Sequence, residues 1–194
     1  YFNHHTIISE QDKGFINHPQ KEQIAVIENG ISSEFSTYNK AVERAFDIVF
    51  TGNMNYPPNV ECAEYIVNEV YPILIKTNPN TRILLSGASP HQRVTDLAVD
   101  DKIVVTGWVE DIKDSYAQGK LFLAPLFIGT GLQNKLLEAM AMGLPAITTP
   151  LANNALEAVH NESAIIANKA EEIAAAVIEL LDNKEKWERL SCLL

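Results

Sequence analysis

Lys120–Thr149 reads "KLFLAPLFIGTGLQNKLLEAMAMGLPAITT": an apolar run, a glycine-punctuated loop, an apolar segment of helical period, and a second apolar run. Short runs without polar alternation are buried on both faces, and a helix between two of them lets them lie parallel. This stretch therefore predicts a strand, a crossover helix and a second, parallel strand. The same grammar recurs in "DIVFTGN" (47–53), "RILLSGA" (82–88), "KIVVTGW" (102–108) and "SAIIA" (163–167), with amphipathic segments between them. Helices are expected over 60–76, 92–99, 111–118, 132–142 and 170–182, with a short last one at 185–190. The fold class that follows is α/β, a doubly wound parallel sheet of Rossmann-like kind.

Composition narrows the partners. The chain has 194 residues and a formal net charge of −10, which argues against nucleic acid, because phosphate backbones are held by clustered Lys and Arg. Cys62 and Cys192 lack the spacing of a disulfide framework or a zinc site, which fits a reducing, cytoplasmic setting. No run of about eighteen apolar residues appears, so no membrane span is expected, although work beside a membrane stays open. Adjacent His4 and His5 point in different directions and have no third ligand at hand, so no metal is assigned. The abrupt start at Tyr1, followed by the apolar "TII", reads as a fragment of a longer protein.

In doubly wound sheets, ligands bind where strand ends lead into helix N-termini. The loops to inspect, "TGNMNYPPN", "SGASPHQ", "TGWVED", "PLFIGTGLQN" and "TTPLANN", are rich in residues that turn tightly and supply donors, which suits phosphates and sugar hydroxyls and equally suits plain turns. Thr130 and Gln133 have capping-box spacing, which would start the next helix at Gly131. Asn134, Lys135 and Glu138 then share one stripe of an otherwise apolar helix. Free amides at Gly131 and Leu132, a cation at Lys135 and an acceptor at Glu138 match a diphosphate attached to a ribose. A Lys135–Glu138 pair on a wet helix face fits the periodicity equally well.

"GTGLQNKLLEAMAMGLPAITTP" (129–150), "VTGWVEDIKDSYAQGKLFLAPL" (105–126) and "GNMNYPPNVECAEYIVNEVYP" (52–72) together resemble the C-terminal domain of a GT-B glycosyltransferase. More narrowly, the chain is similar to the large, mostly retaining group 1 family (glycosyltransferase family 4), which includes sucrose-phosphate synthases and bacterial exopolysaccharide sugar transferases. The likeness covers about residues 24–181. It implies that residues 1–28 are a remnant of the preceding domain and the crossing, and that 29–194 form the domain binding a nucleoside-diphosphate sugar. The implied activity is transfer of a hexosyl unit to a saccharide or lipid-linked acceptor held by the missing N-terminal domain. The setting implied is cytoplasmic, at or near the inner face of the membrane with peripheral association, and without cofactor or metal.

The resemblance also assigns residues. Gly52 and Asn53 would approach the phosphates, Ser86 and Gly87 would line the cleft, and Trp108 and Val109 would read the base, although without the resemblance Trp108 reads rather as a core aromatic. Thr130, Gly131, Leu132, Gln133 and Asn134, on the approach to the helix, would also bind the donor. Lys135 would stabilise the leaving diphosphate, and Glu138 would hold the ribose. Two departures stand out. The family's first glutamate is Thr130 here, which leaves the sugar and the stereochemical outcome open, and no Arg or Lys follows the first strand, which shifts phosphate charge onto Lys135. Two other readings are a GT-B-like epimerase, which needs acid and base carboxylates in the cleft, and a non-catalytic flavodoxin-like interaction module.

Overall fold

A computed structural model describes residues 4–129 and 131–191. The chain opens with a small βαβ unit, in which β1 (Thr6–Ile7) and β2 (Ala25–Val26) pair in parallel across α1 (Glu10–Phe15). Ser9 caps α1 by accepting from the Asp12 amide, and the short α2 (Ser33–Ser36) follows β2.

The main sheet begins at β3 (Phe46–Thr51), all six of whose residues are buried. A long helical passage comes next: α3 (Pro57–Tyr65), a π turn over Ile66–Val70, and α4 (Tyr71–Thr77). The π turn lies just before Pro72, whose ring has no amide to donate. Next come β4 (Ile83–Ser86), α5 (Gln92–Thr95), β5 (Ile103–Val105), α6 (Ile112–Ala117), β6 (Gly119–Ala124) and α7 (Asn134–Ala141). The chain continues through β7 (Ala146–Thr148), α8 (Pro150–Leu156), β8 (Ile165–Ile166), α9 (Ala170–Asp182) and α10 (Lys184–Ser191).

The six strands are all parallel, in the order β5-β4-β3-β6-β7-β8. The doubly wound expectation therefore holds, and each apolar run became a strand. Ile48, Val49, Phe50, Leu121, Phe122, Leu123 and Ile147 are sealed from solvent between the two helical layers, which is why their sequence shows no alternation. The order of the strands reverses between β3 and β6. Successive units leave β3 in opposite directions there, and a crevice opens at the carboxyl ends.

Two local expectations need correction. The helix expected from Gly131 starts at Asn134, because Gly131 has a φ of 80° and Gln133, at φ −91° and ψ 93°, is extended. The expected capping box involves Thr130, which lies outside the described residues; the Gln133 side-chain amide donates to the Gly131 carbonyl at 3.3 Å. "TTPLANN", read as a loop, contains α8, for which Thr149 is the cap and Pro150 the first residue.

Candidate functional site

The crevice at the β3/β6 reversal encloses about 450 Å³. Gly52 and Asn53 after β3, Gly87 after β4, and Trp108 and Val109 after β5 line its floor and one wall; Leu132, Asn134, Lys135 and Glu138 line the facing wall. The structure thus brings together nine of the residues singled out from sequence. The floor is bare backbone. A Cβ on Gly87, whose φ is 146°, would lie 1.8 Å from the Gly52 carbonyl oxygen, so only glycine lets the two loops close on each other.

The other assigned residues lie elsewhere. Ser86 is fully buried beneath the floor, with its hydroxyl bonded to Ser115 Oγ at 2.6 Å and Thr106 Oγ1 at 3.0 Å, so its side chain does not line the cleft. Gly131 is not among the lining residues, and a side chain there would meet the Asp12 carboxylate and Ile8 of the opening unit. Gln133 is spent on the turn. Thr130 lies outside the described residues. Because α7 begins at Asn134, the first-turn amides and the positive dipole end belong to Asn134 and Lys135 rather than to Gly131 and Leu132.

Lys135 projects from that first turn into the cleft. Its ammonium donates to Asn59 Oδ1 and lies 5.4 Å from the centroid of the Phe50 ring. Among the described residues no carboxylate comes within ion-pair distance of it. Burial holds its pKa below the ordinary lysine value, against the counter-pull of Cys62 and Glu138. Asn59, itself buried in α3, holds the ammonium with one end of its amide and donates with the other to the Asn53 carbonyl at 2.9 Å. The ammonium is thereby fixed beside Gly52 and Gly87 by a neutral amide, without an ion-pair partner among the described residues.

Glu138, one helical turn on, has a different partner. The Tyr116 hydroxyl donates to its Oε2 at 2.7 Å, and Thr51 Oγ1 donates to that hydroxyl at 2.7 Å. No Lys135–Glu138 ion pair forms, and Glu138 is half-buried at the cleft wall rather than on a wet face. Tyr116 is sealed from solvent, and burial, followed by the Glu138 charge, pushes its phenol far above the ordinary tyrosine value, so it keeps its proton. Trp108 is not a core aromatic: it is 74% exposed at the cleft mouth.

Asn59, Tyr116 and Thr51 were not singled out from sequence. The available signal was weak: an amide within a helix whose neighbours are apolar, and a tyrosine four residues after Ile112 on the same face. His91 caps α5 by accepting from the Arg93 amide, and Asp47 pairs with Lys120 near the amino ends of the strands. Among the described residues no cluster of metal-ligating side chains is present, and no helix is long and apolar enough to cross a membrane.

A parallel doubly wound domain with a polar crevice at its reversal point, a cation on one wall and a carboxylate one turn away, has the architecture of a ligand-binding domain. The family is narrower. Residues 45–183 match the glycosyl transferases group 1 family, and the chain belongs to it. It is 23% identical, over 154 residues, to an uncharacterised 44.6 kDa protein in the cps region of Klebsiella pneumoniae, covering 75% of this chain and 40% of that protein. In fold it is similar to Anabaena Alr3699/HepE, crystallised in complex with UDP and glucose, at TM-score 0.77 and 16% identity over 96% of this chain and 55% of that one. It is also similar to the C-terminal domain of a glycosyl transferase group 1 family protein (LpcC) from Francisella tularensis, at TM-score 0.63 and 17% identity over 84% and 93%. The chain thus spans about half the length of HepE and less of the Klebsiella protein.

Proposed function

We propose that residues 29–194 form the donor-binding domain of a glycosyltransferase that moves a hexosyl unit from a nucleoside-diphosphate sugar to a saccharide or lipid-linked acceptor. The observation that carries this reading is Lys135, a cation seated in the cleft of a protein of net charge −10, held by the Asn59 amide and without an ion-pair partner among the described residues. A diphosphate supplies the missing countercharge. As the bond to the sugar breaks, negative charge grows on the leaving diphosphate, and the ammonium, the first-turn amides of α7 and the backbone floor at Gly52 and Gly87 oppose it from fixed positions. Glu138 then accepts the vicinal hydroxyls of the ribose, and the Trp108–Val109 turn meets the base.

The acceptor site belongs, in this reading, to the preceding domain, of which residues 1–28 are the last part. Exposed Phe15 and Ile27 on the opening unit support that assignment, as faces normally covered by more chain. A cytoplasmic setting at the inner face of the membrane suits a lipid-linked acceptor. Among the described residues that line the cleft Glu138 is the sole carboxylate, which counts against the epimerase reading and its need for an acid and a base. Calorimetric titration of this chain with UDP, GDP and ADP tests the proposal. Saturable binding of one of them, weakened far less in the nucleoside than in the diphosphate by Lys135→Ala, is the expected result; heat from none of the three rejects it.

A further inference from the structure

We infer that Tyr116 is a positioning residue that sets the cleft's preference for ribose over deoxyribose by holding Glu138 in place, an inference that rests on the donor-binding reading above. The geometry starts from the sheet. Thr51, the last residue of β3, donates to the Tyr116 hydroxyl, and that hydroxyl donates its own single proton in a hydrogen bond to Glu138 Oε2. The Lys135 carbonyl at 3.4 Å is the more distant acceptor. The ring that carries the hydroxyl is packed on all sides. It is fully buried, 5.5 Å centroid to centroid from Phe122 and 6.1 Å from Phe35 in an edge contact.

A free glutamate on a helix samples several rotamers, and freezing it on ligand binding costs affinity. Here the cost is met before the ligand arrives, because a buried donor already occupies Oε2. A carboxylate offers roughly four lone-pair sites. With one taken on the inner side, those that remain face the cleft, where two neighbouring hydroxyls can each donate. The phenol oxygen already accepts from Thr51, which leaves its one proton aimed at Glu138, so it presents the same donor to the same carboxylate oxygen. Removing the phenol oxygen leaves the carboxylate in the cleft, free to turn away from the diol.

The test uses this chain and its Tyr116→Phe, Glu138→Gln and doubly substituted forms. Each is titrated calorimetrically with whichever of UDP, GDP or ADP the wild type binds, and with the matching 2′-deoxynucleotide. Absence of binding by the wild type would reject the donor-binding reading itself. Given binding, Tyr116→Phe is expected to weaken the ribonucleotide about tenfold, as for the loss of one hydrogen bond to a charged group, and to leave the deoxynucleotide nearly unchanged. The double variant should bind like Glu138→Gln alone, since Tyr116 acts through Glu138. An undiminished ribose-to-deoxyribose ratio in Tyr116→Phe, or losses that simply add in the double variant, would overturn the inference. Should Tyr116→Phe fail to fold, Thr51→Val takes its place. It keeps the phenol but removes its anchor, and is expected to lower the ratio about threefold; an unchanged ratio there overturns the inference equally.

Discussion

Two lysines mark the two ends of the sheet. Lys120, near the amino end of β6, meets Asp47 at 2.8 Å, and Asp47 also accepts from the Arg82 amide at 2.8 Å, so that charge is settled within the fold. Lys135, past the carboxyl ends, is given a neutral amide instead. Both side chains are held in place, but only one keeps an unspent charge. An ion pair closed on itself contributes modestly to stability, whereas a desolvated cation without a carboxylate costs stability until an anion arrives. The difference separates a lysine that serves the scaffold from one that serves a ligand.

The comparison breaks most sharply if the cleft is made to resemble the other end. Asn59→Asp places a carboxylate against the Lys135 ammonium, and diphosphate affinity should fall by about 3 kcal/mol, roughly a hundredfold. Nucleoside affinity should stay within about threefold, a difference that parallel titrations would read. The ion pair gained and the Asn53 bond lost should leave the denaturation free energy within about 1 kcal/mol. Next in size, Glu138→Gln should cost about 1.5–3 kcal/mol of nucleotide affinity and little stability, since the amide keeps the size and one acceptor. Calorimetry and denaturant midpoints on the same samples check both halves.

A pH series sharpens the contrast without a mutation. Burial lowers the folded pKa of Lys135, so its ammonium is charged below that value and is lost as pH rises through it, earlier than for an ordinary lysine. Diphosphate affinity should fall across that interval. The unfolded chain holds the proton longer, so the empty protein should gain stability over the same interval, as an opposite slope in a chemical denaturation series. The smallest effect belongs to Lys120→Ala. With its side chain 48% exposed, the pair with Asp47 is screened, and its loss should cost about 1 kcal/mol or less and leave nucleotide titrations unchanged.

Strands and most helices were legible because burial on both faces writes itself into "DIVF", "RILL" and "KLFL" as unbroken apolar runs. The 170–182 helix was expected at its observed limits, since its apolar stripe and polar flanks are both local. The approach to α7 was misread for the opposite reason. The spacing of Thr130 and Gln133 carries a local rule, but it does not show that Gly131 takes a φ of 80°, which keeps the helix from starting there. Within the site, Lys135 and Glu138 stood out as polar residues interrupting an apolar helix. Their holders did not: Asn59 lies 76 residues from Lys135 and Tyr116 lies 22 from Glu138, distances that no periodicity spans.

The bare floor at Gly52 and Gly87 has a consequence for how such a protein diversifies. A crevice walled by side chains widens or narrows with every substitution, but here the closest approach is set by a carbonyl oxygen against a glycine α-carbon. That part of the seat has no side chain to vary. Rim residues such as Trp108, exposed and lightly held, are free to change what is recognised, while the backbone beneath stays in register with Asn59 and Lys135. Novelty in ligand choice can accumulate at the mouth of the cleft without disturbing the gauge at its base.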